Sequence, residues 1–217
     1  MTSRPKHAEP RPQPRLYLMT PRVAEAASLR EPLAQALAAG DVAAVLLRFA
    51  NTDERAQINS AKALVEVTQA KDVALLLDGH AELVARAGCD GAHLAGIEAL
   101  KEAIGTLKPD RIAGAGGLAT RHDAMTAAEA GTDYVMFGEP DENGRRPPFE
   151  AVVDRVAWWA EVFEIPCIGF AGDLDEVAAL AAAGADFVAV GDFLFADPAG
   201  PVAATLAASR QLLREPA

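Results

Sequence analysis

Arginines and glycines near the ends of apolar segments could bind a phosphorylated small molecule. Arg48 lies at the end of "VAAVLLRF", and its planar guanidinium offers a fork of donors that fits phosphate oxygens. A salt bridge from Arg48 to Asp53 or Glu54 would explain the same residue without a ligand. Glycines that could let backbone amides approach a phosphate are Gly114, Gly116, Gly117, Gly172 and Gly191. Tight turns would also explain these glycines, so only the whole set indicates an anion site.

A second candidate cluster contains carboxylates and a histidine. Asp78 and Glu98 follow two successive apolar segments, and together they could hold a divalent cation through their oxygens. Two exposed carboxylates without a metal are the commoner case. His93 lies within "GAHLAG", where a hydrogen-bonded core histidine is favoured over a catalytic one.

The stretch "YVMFGEPDENGRRPP" begins as an apolar strand and continues as a charged loop. The loop holds Glu139, Asp141, Glu142, Arg145 and Arg146. It could be a mobile part of an active site. An acidic surface loop with internal ion pairs is the simpler interpretation.

A repeated phrase indicates which elements position these residues. A helix end rich in alanine, a glycine, an acid and an apolar run recur at Gly40, Gly88, Gly131 and Gly184. The glycine is expected to end each helix in a left-handed conformation, and the apolar run to form a buried parallel strand. The repeats are about 43 to 53 residues apart, which suits two strand and helix pairs each.

Four such phrases predict eight strands that alternate with helices, which is the pattern of a (β/α)8 TIM barrel in one domain. A doubly wound open sheet is the alternative, but "YLMTPRVAEA" lacks the glycine-rich turn that this fold places after its first strand. The barrel is predicted over residues 15–214. Residues 1–14, which contain four prolines, are predicted to be a disordered tail. The candidate residues would then meet at the carboxyl ends of the strands.

Composition limits the partners that this chain could bind. The formal net charge of -11 opposes binding to nucleic acid or anionic membranes. No apolar run reaches the ~18 residues of a membrane span, so the sequence predicts a soluble protein. Cys89 and Cys167 are isolated in apolar surroundings, which favours buried thiols in the reducing cytoplasm.

With the strand ends assigned, the sequence resembles the thiamine phosphate synthase family and its relatives, the thiazole tautomerases. The resemblance covers nearly all of the predicted domain. It is carried by "RLYLMTP", "LLRF", "LLLDGHAELVARAGCDGAHLAG", "AAEAGTDYVMFGEP" and "IPCIGFAGDLDEVAALAAAGADFVAVGDFLF". The resemblance implies a TIM barrel that joins hydroxymethylpyrimidine pyrophosphate to thiazole phosphate, with magnesium assisting departure of the pyrophosphate.

The resemblance also implies roles for individual residues. Arg48 matches a pyrophosphate-binding arginine, whereas Ala50 stands where the family has a lysine. Asp78 stands where the family has an asparagine, and Gly79 replaces a magnesium-binding aspartate. Glu98 corresponds to the second magnesium-binding aspartate.

The remaining matches concern phosphate groups. Gly116 replaces a serine, and Arg145 or Arg146 would take the place of a lysine in the loop after the sixth strand. The family's glycine pair after the seventh strand is represented by Ala171 and Gly172.

After the eighth strand, Gly191 is followed by Asp192 in the position of a serine, and the aspartate would repel a phosphate.

A tautomerase would need a histidine where this chain has Leu118. The catalytic candidates are therefore Arg48, Asp78 and Arg145.

Three hypotheses about function follow. The first is a synthase-like transferase that binds phosphorylated small molecules and magnesium. The second is a barrel without catalytic activity that binds a phosphorylated metabolite or a protein. The third is a different small-molecule enzyme that uses Asp78, His93 and Glu98. A homodimer is expected from the family and from the Trp158 and Trp159 pair, of which one is expected in the core and the other partly exposed.

Overall fold

The computed structural model describes residues 12–50, 53–141 and 143–213. In this range eight parallel strands form a closed barrel in sequence order, because the last strand pairs with the first. The predicted TIM barrel is confirmed. Most of the predicted N-terminal tail, the predicted domain end at residue 214 and Glu142 lie outside the described residues.

The strands occupy the segments that the repeated phrases predicted. They are β1 (Arg15–Val23), β2 (Val42–Phe49), β3 (Ala74–Asp78), β4 (Gly91–Ala95), β5 (Ile112–Gly116), β6 (Tyr134–Phe137), β7 (Cys167–Ala171) and β8 (Phe187–Val190).

Nine α-helices among the described residues surround or cap the barrel, together with two short 3-10 turns at residues 26–29 and 81–83. They are α1 (Arg30–Ala39), α2 (Glu54–Gln69), α3 (Val84–Ala87), α4 (Ile97–Leu107), α5 (Arg121–Glu129), α6 (Phe149–Val162), α7 (Leu174–Ala182), α8 (Asp192–Ala196) and α9 (Pro201–Leu212). None of the described helices is long and apolar enough to cross a membrane.

The hydrophobic core has two layers, as the alternation of side chains along the strands requires. One layer packs the outer face of the sheet against the helices and includes fully buried Trp159. Trp158 is half-buried under the Arg121 guanidinium, so the expected division between the two tryptophans is confirmed. The second layer fills the barrel interior with Tyr17, Met19, Leu46, Leu76, Tyr134, Met136, Ile168 and Phe170.

Three of the four phrase glycines have the predicted left-handed conformation, and Gly40 does not. The φ angles of Gly88, Gly131 and Gly184 are 76°, 94° and 96°. Gly40 is extended, with φ -146° and ψ 167°, so the prediction for this residue was wrong. A Cβ on Gly40 would lie 2.6 Å from the Ser209 hydroxyl oxygen, so close packing against α9 requires glycine here.

The acid of the repeated phrase connects neighbouring strands at the end of the barrel where the strands begin. In three repeats, the aspartate that precedes β4, β6 or β8 forms two hydrogen bonds with a single residue of the strand before it. Its carboxylate accepts that residue's N–H, and its own N–H donates to that residue's carbonyl, at 2.7 to 3.0 Å. The pairs are Leu75 with Asp90, Ala113 with Asp133, and Cys167 with Asp186.

Replacing one of these aspartates should destabilise the barrel. Asp90→Ala leaves the Leu75 N–H without its carboxylate acceptor, which should lower the free energy of unfolding by about 1.5 to 3 kcal/mol. Asp41 occupies the same place in the first repeat, but its carboxylate forms an exposed ion pair with Arg15 instead. Asp41→Ala should therefore cost only about 0.2 to 1 kcal/mol. Equal losses for the two variants in urea denaturation would contradict this account.

Candidate active site

A cavity of about 700 Å³ opens at the carboxyl ends of the strands, where a TIM barrel places its active site. Its walls combine charged side chains with glycines and a few apolar groups. The charged and imidazole side chains that line it are Arg22, Arg48, Asp78, His93, Glu139, Asp141, Arg145 and Arg155. Three candidates from the sequence, Arg48, Asp78 and Arg145, are therefore brought to one cavity.

Below the cavity, a chain of buried hydrogen bonds crosses the barrel interior. The hydroxyl groups of Tyr17 and Tyr134 are 2.9 Å apart, and the Tyr134 hydroxyl lies 3.0 Å from Nδ1 of His93. The His93 and Tyr134 rings are stacked with centroids 5.7 Å apart. The expectation of a hydrogen-bonded core histidine is confirmed, and the same residue also lines the cavity.

The direction of this chain determines which nitrogen of His93 carries its proton. Tyr17 has the Tyr134 hydroxyl as its one hydrogen-bond partner among the described residues, so its buried O–H must donate there. Tyr134 then donates to Nδ1 of His93, and the proton of the neutral ring is on Nε2. Burial lowers the pKa of His93, against a smaller opposing effect of Asp78. His93 therefore presents a neutral N–H donor.

Glu139, the first acid of the charged loop, points into the barrel mouth. Its Oε1 accepts the backbone N–H of Gly117. Burial raises the pKa of Glu139 to about 7, and the Gly117 hydrogen bond opposes that shift. A Cβ on Gly116 would lie 2.3 Å from both Glu139 Oε1 and His93 Nε2, so glycine is needed for the two polar groups to approach.

Arg48 is held at the cavity rim by groups that the sequence did not indicate. Its Nε donates to the Thr20 carbonyl, and its Nη2 donates to Asp192 Oδ1 at 2.5 Å. The alternative partner suggested for Arg48, Asp53 or Glu54, is wrong, because Asp53 caps α2 and Glu54 pairs with Arg86. Arg48 is 13% exposed and Asp192 73% exposed, so the guanidinium is largely enclosed while the carboxylate is open to solvent.

The two arginines of the charged loop have different environments. Arg145 is 77% exposed, lines the cavity and pairs with Asp141 at 3.2 Å, so the predicted internal ion pair is present. Arg146 turns inward, where Nη2 donates to Glu176 at 2.7 Å and the guanidinium lies over the Phe170 ring. Arg145 is therefore the arginine that can reach a ligand.

The loops after β7 and β8 do not line the cavity. The Gly172 N–H donates to the Glu176 carboxylate at 2.6 Å, and Arg146 occupies the adjacent space. Ala171 is buried, and Gly191 precedes α8, of which Asp192 is the first residue. The candidate phosphate ligands Ala171, Gly172 and Gly191 therefore lie outside the cavity wall, and only Asp192 contacts it through Arg48.

The two candidate magnesium ligands are not brought together. Asp78 lines the cavity and lies 3.7 Å from Arg22. Glu98, in the first turn of α4, is 86% exposed, pairs with Lys101 and is absent from the cavity wall. No group of three or more His, Cys, Asp or Glu residues in the described part of the chain could hold a metal ion. Asp78 and Glu98 therefore do not fit a magnesium site built from protein ligands alone.

Four charged cavity residues, Arg22, Glu139, Asp141 and Arg155, were not selected from the sequence as ligand-binding groups. Arg22 lies near the end of β1, which continues to Val23 beyond the predicted strand. Arg155 reaches the cavity from α6 and donates to the Leu118 carbonyl at 3.0 Å. Glu139 and Asp141 belong to the charged loop, for which the sequence left open a mobile part of an active site and favoured an acidic surface loop. No local sequence signal marked Arg22 or Arg155, and the inward direction of Glu139 depends on side-chain geometry at the barrel rim.

The barrel and its arginine-lined cavity define a TIM-barrel protein whose site could accept an anionic small molecule. The family model described as thiamine monophosphate synthase matches residues 16–193. The thiamine-phosphate synthase of Rhodospirillum centenum is 40% identical over 193 residues, which are 88% of this chain and 93% of that protein. The synthase of Hyphomonas neptunium is 35% identical and covers 92% of this chain and 94% of its own length.

The chain therefore belongs to the thiamine monophosphate synthase family. A solved structure of thiamine phosphate pyrophosphorylase from Pyrococcus furiosus has a TM-score of 0.75 at 21% identity, covering 92% of this chain and 96% of its own. The structure of 3-hexulose-6-phosphate synthase from Salmonella typhimurium has a TM-score of 0.69 at 18% identity, and the match covers 91% of this chain and 98% of that one. At these identities, the two structures support the fold alone.

The raised pKa of Glu139 predicts a pH-dependent stability. Folding raises the pKa of this carboxyl from 4.5 to about 7, so the folded state favours the protonated form. The stabilisation of the folded state by the protonated carboxyl is complete below pH 4.5 and is lost as the pH rises to about 7. Glu139→Gln stays neutral, so its stability relative to the parent protein should increase across this range by about 1 to 3 kcal/mol.

Denaturant unfolding at several pH values measures this difference. Glu129→Gln, the same change at an exposed position of α5, is the matched control. A difference between Glu139→Gln and the parent protein that does not change with pH would contradict the raised pKa.

Proposed function

We propose that this chain is an active synthase that joins hydroxymethylpyrimidine pyrophosphate to thiazole phosphate. The observation that carries the proposal is the gathering of Arg22, Arg48 and Arg145 around one cavity in a chain of this family. Both substrates carry phosphate groups, and guanidinium groups bind phosphate oxygens with paired donors. The third hypothesis is not favoured, because Glu98 lies away from the cavity that holds Asp78 and His93.

The reaction requires stabilisation of charge more than transfer of a proton. The bond between the pyrimidine methylene carbon and the pyrophosphate oxygen breaks, and its electron pair leaves with pyrophosphate. The thiazole nitrogen then forms a bond to the methylene carbon. Arginine side chains at the rim would bind the negative charge that grows on the leaving group. Magnesium dependence is a property that the family implies.

Arg48 and Asp192 together would control entry of the pyrophosphate. The Asp192 carboxylate occupies the guanidinium face that a phosphate would need. The more buried guanidinium is held by the Thr20 carbonyl, whereas Asp192 is exposed and can be displaced. We expect the incoming phosphate to replace Asp192 as the partner of Arg48.

The location and assembly of the protein complete the proposal. A cytoplasmic location is supported by Cys89 and Cys167, which are both buried in apolar surroundings. The homodimer stays a prediction, as does the absence of nucleic-acid and membrane partners.

Incubation of the protein with both substrates and magnesium, followed by detection of thiamine phosphate, tests the activity. Arg48→Ala should lower kcat/KM by about 100-fold, because it removes a donor to the leaving group. Arg210→Ala, an exposed arginine of α9, should have no effect. Absence of product from the parent protein would contradict the proposal and favour a barrel without catalytic activity.

Neutralising Asp192 should strengthen binding of pyrophosphate. Asp192→Asn removes the charge that competes for Arg48, so the Kd of pyrophosphate should fall roughly 3-fold to 10-fold. Isothermal titration calorimetry measures this change, and Asp175→Asn, at an exposed position of α7, is the control. Weaker binding by Asp192→Asn would show that the carboxylate assists the anion site rather than competing with it.

A further inference from the structure

Glu139 and His93 form a polar pair at the floor of the cavity. Oε1 of Glu139 and Nε2 of His93 each lie 2.3 Å from the place that a Cβ on Gly116 would take, so they are at most twice that distance apart. Both residues line the cavity. The pair therefore faces the space that a substrate ring would enter.

The two members of the pair offer complementary hydrogen-bonding groups. His93 presents an N–H donor, because Tyr134 occupies its other ring nitrogen. Glu139 presents carboxyl oxygens, which are acceptors in the ionised form. The backbone N–H of Gly117 holds this carboxyl from one side. A ligand edge with a donor next to an acceptor would satisfy both groups.

The two proposed substrates differ in whether they have such an edge. The pyrimidine carries an exocyclic amino group next to a ring nitrogen, which supplies a donor beside an acceptor. The thiazole has no N–H or O–H donor on its ring, and its nitrogen must stay free to attack the methylene carbon. The phosphate groups of both substrates would lie near the rim, where Arg22 is 57% exposed.

We propose that Glu139 and His93 bind the aminopyrimidine edge and thereby determine which ring occupies the cavity floor, an inference that rests on the proposed synthase function. The Glu139 carboxyl accepts from the amino group, and His93 Nε2 donates to the adjacent ring nitrogen. A carboxylate in this position also stabilises the positive charge that develops on the pyrimidine as pyrophosphate leaves. Glu139 is then a specificity-determining residue.

Binding of two simple pyrimidines tests the proposal without the transfer reaction. The probe is 4-amino-5-hydroxymethyl-2-methylpyrimidine, and the matched ligand is the same compound without the amino group. NMR titration measures both Kd values. The parent protein should prefer the amino compound by about 10-fold or more, because a ligand without the amino group leaves the buried Glu139 acceptor unpaired.

Three variants separate recognition from a structural role. Glu139→Leu removes the acceptor and should reduce the preference to about 1-fold, whereas Glu139→Gln keeps an acceptor oxygen and should retain part of it. A merely structural role would weaken both ligands equally and leave the ratio unchanged. Gly116→Ala places a Cβ against both polar atoms and should also abolish the preference.

The outcomes distinguish this inference from the proposed function. An unchanged ratio in Glu139→Leu, or no binding of either pyrimidine to the parent protein, overturns the inference. If the synthase assay succeeds and the ratio does not depend on Glu139, the function stands and the inference fails. If the assay fails and the ratio does depend on Glu139, the pyrimidine subsite stands and the synthase activity fails.

Discussion

Pairing of β1 with β8 closes the sheet, and every part of the candidate site depends on that closure. It brings Thr20 and Arg48 beside Asp192, although the arginine and the aspartate are 144 residues apart in the chain. The other end of the barrel is held by the reciprocal hydrogen bonds of Asp90, Asp133 and Asp186. Stability and chemistry are thus assigned to opposite ends of the same strands, as is usual in this fold.

The cavity combines a charged rim with a floor that carries little charge. Arg22 and Arg145 are more than half exposed, so their charges have a low desolvation cost, whereas the charge of the more buried Arg48 is balanced by Asp192. The floor instead holds tyrosines, a neutral histidine and a carboxyl whose pKa is raised to about 7 by burial. This polarity gradient suits a substrate with a heterocyclic ring at one end and a pyrophosphate at the other.

The sequence predicted the fold well because helix ends, glycines and apolar runs repeat at regular spacing. All eight strands were found, and the exception at Gly40 arose because close packing with α9, not backbone conformation, requires that glycine. The site was predicted only in part. The residue types at strand ends identified Arg48, Asp78 and Arg145, but they could not show that Asp192 pairs with Arg48 or that Glu139 points inward. Those features depend on side-chain directions across the barrel mouth.

A crystal structure of the protein with bound thiamine phosphate tests the central claim most directly, because this ligand contains both joined rings. We expect the aminopyrimidine to lie against Glu139 and His93, with the phosphate toward the arginines at the rim. A thiazole ring at the floor, or a ligand bound outside this cavity, would contradict the account.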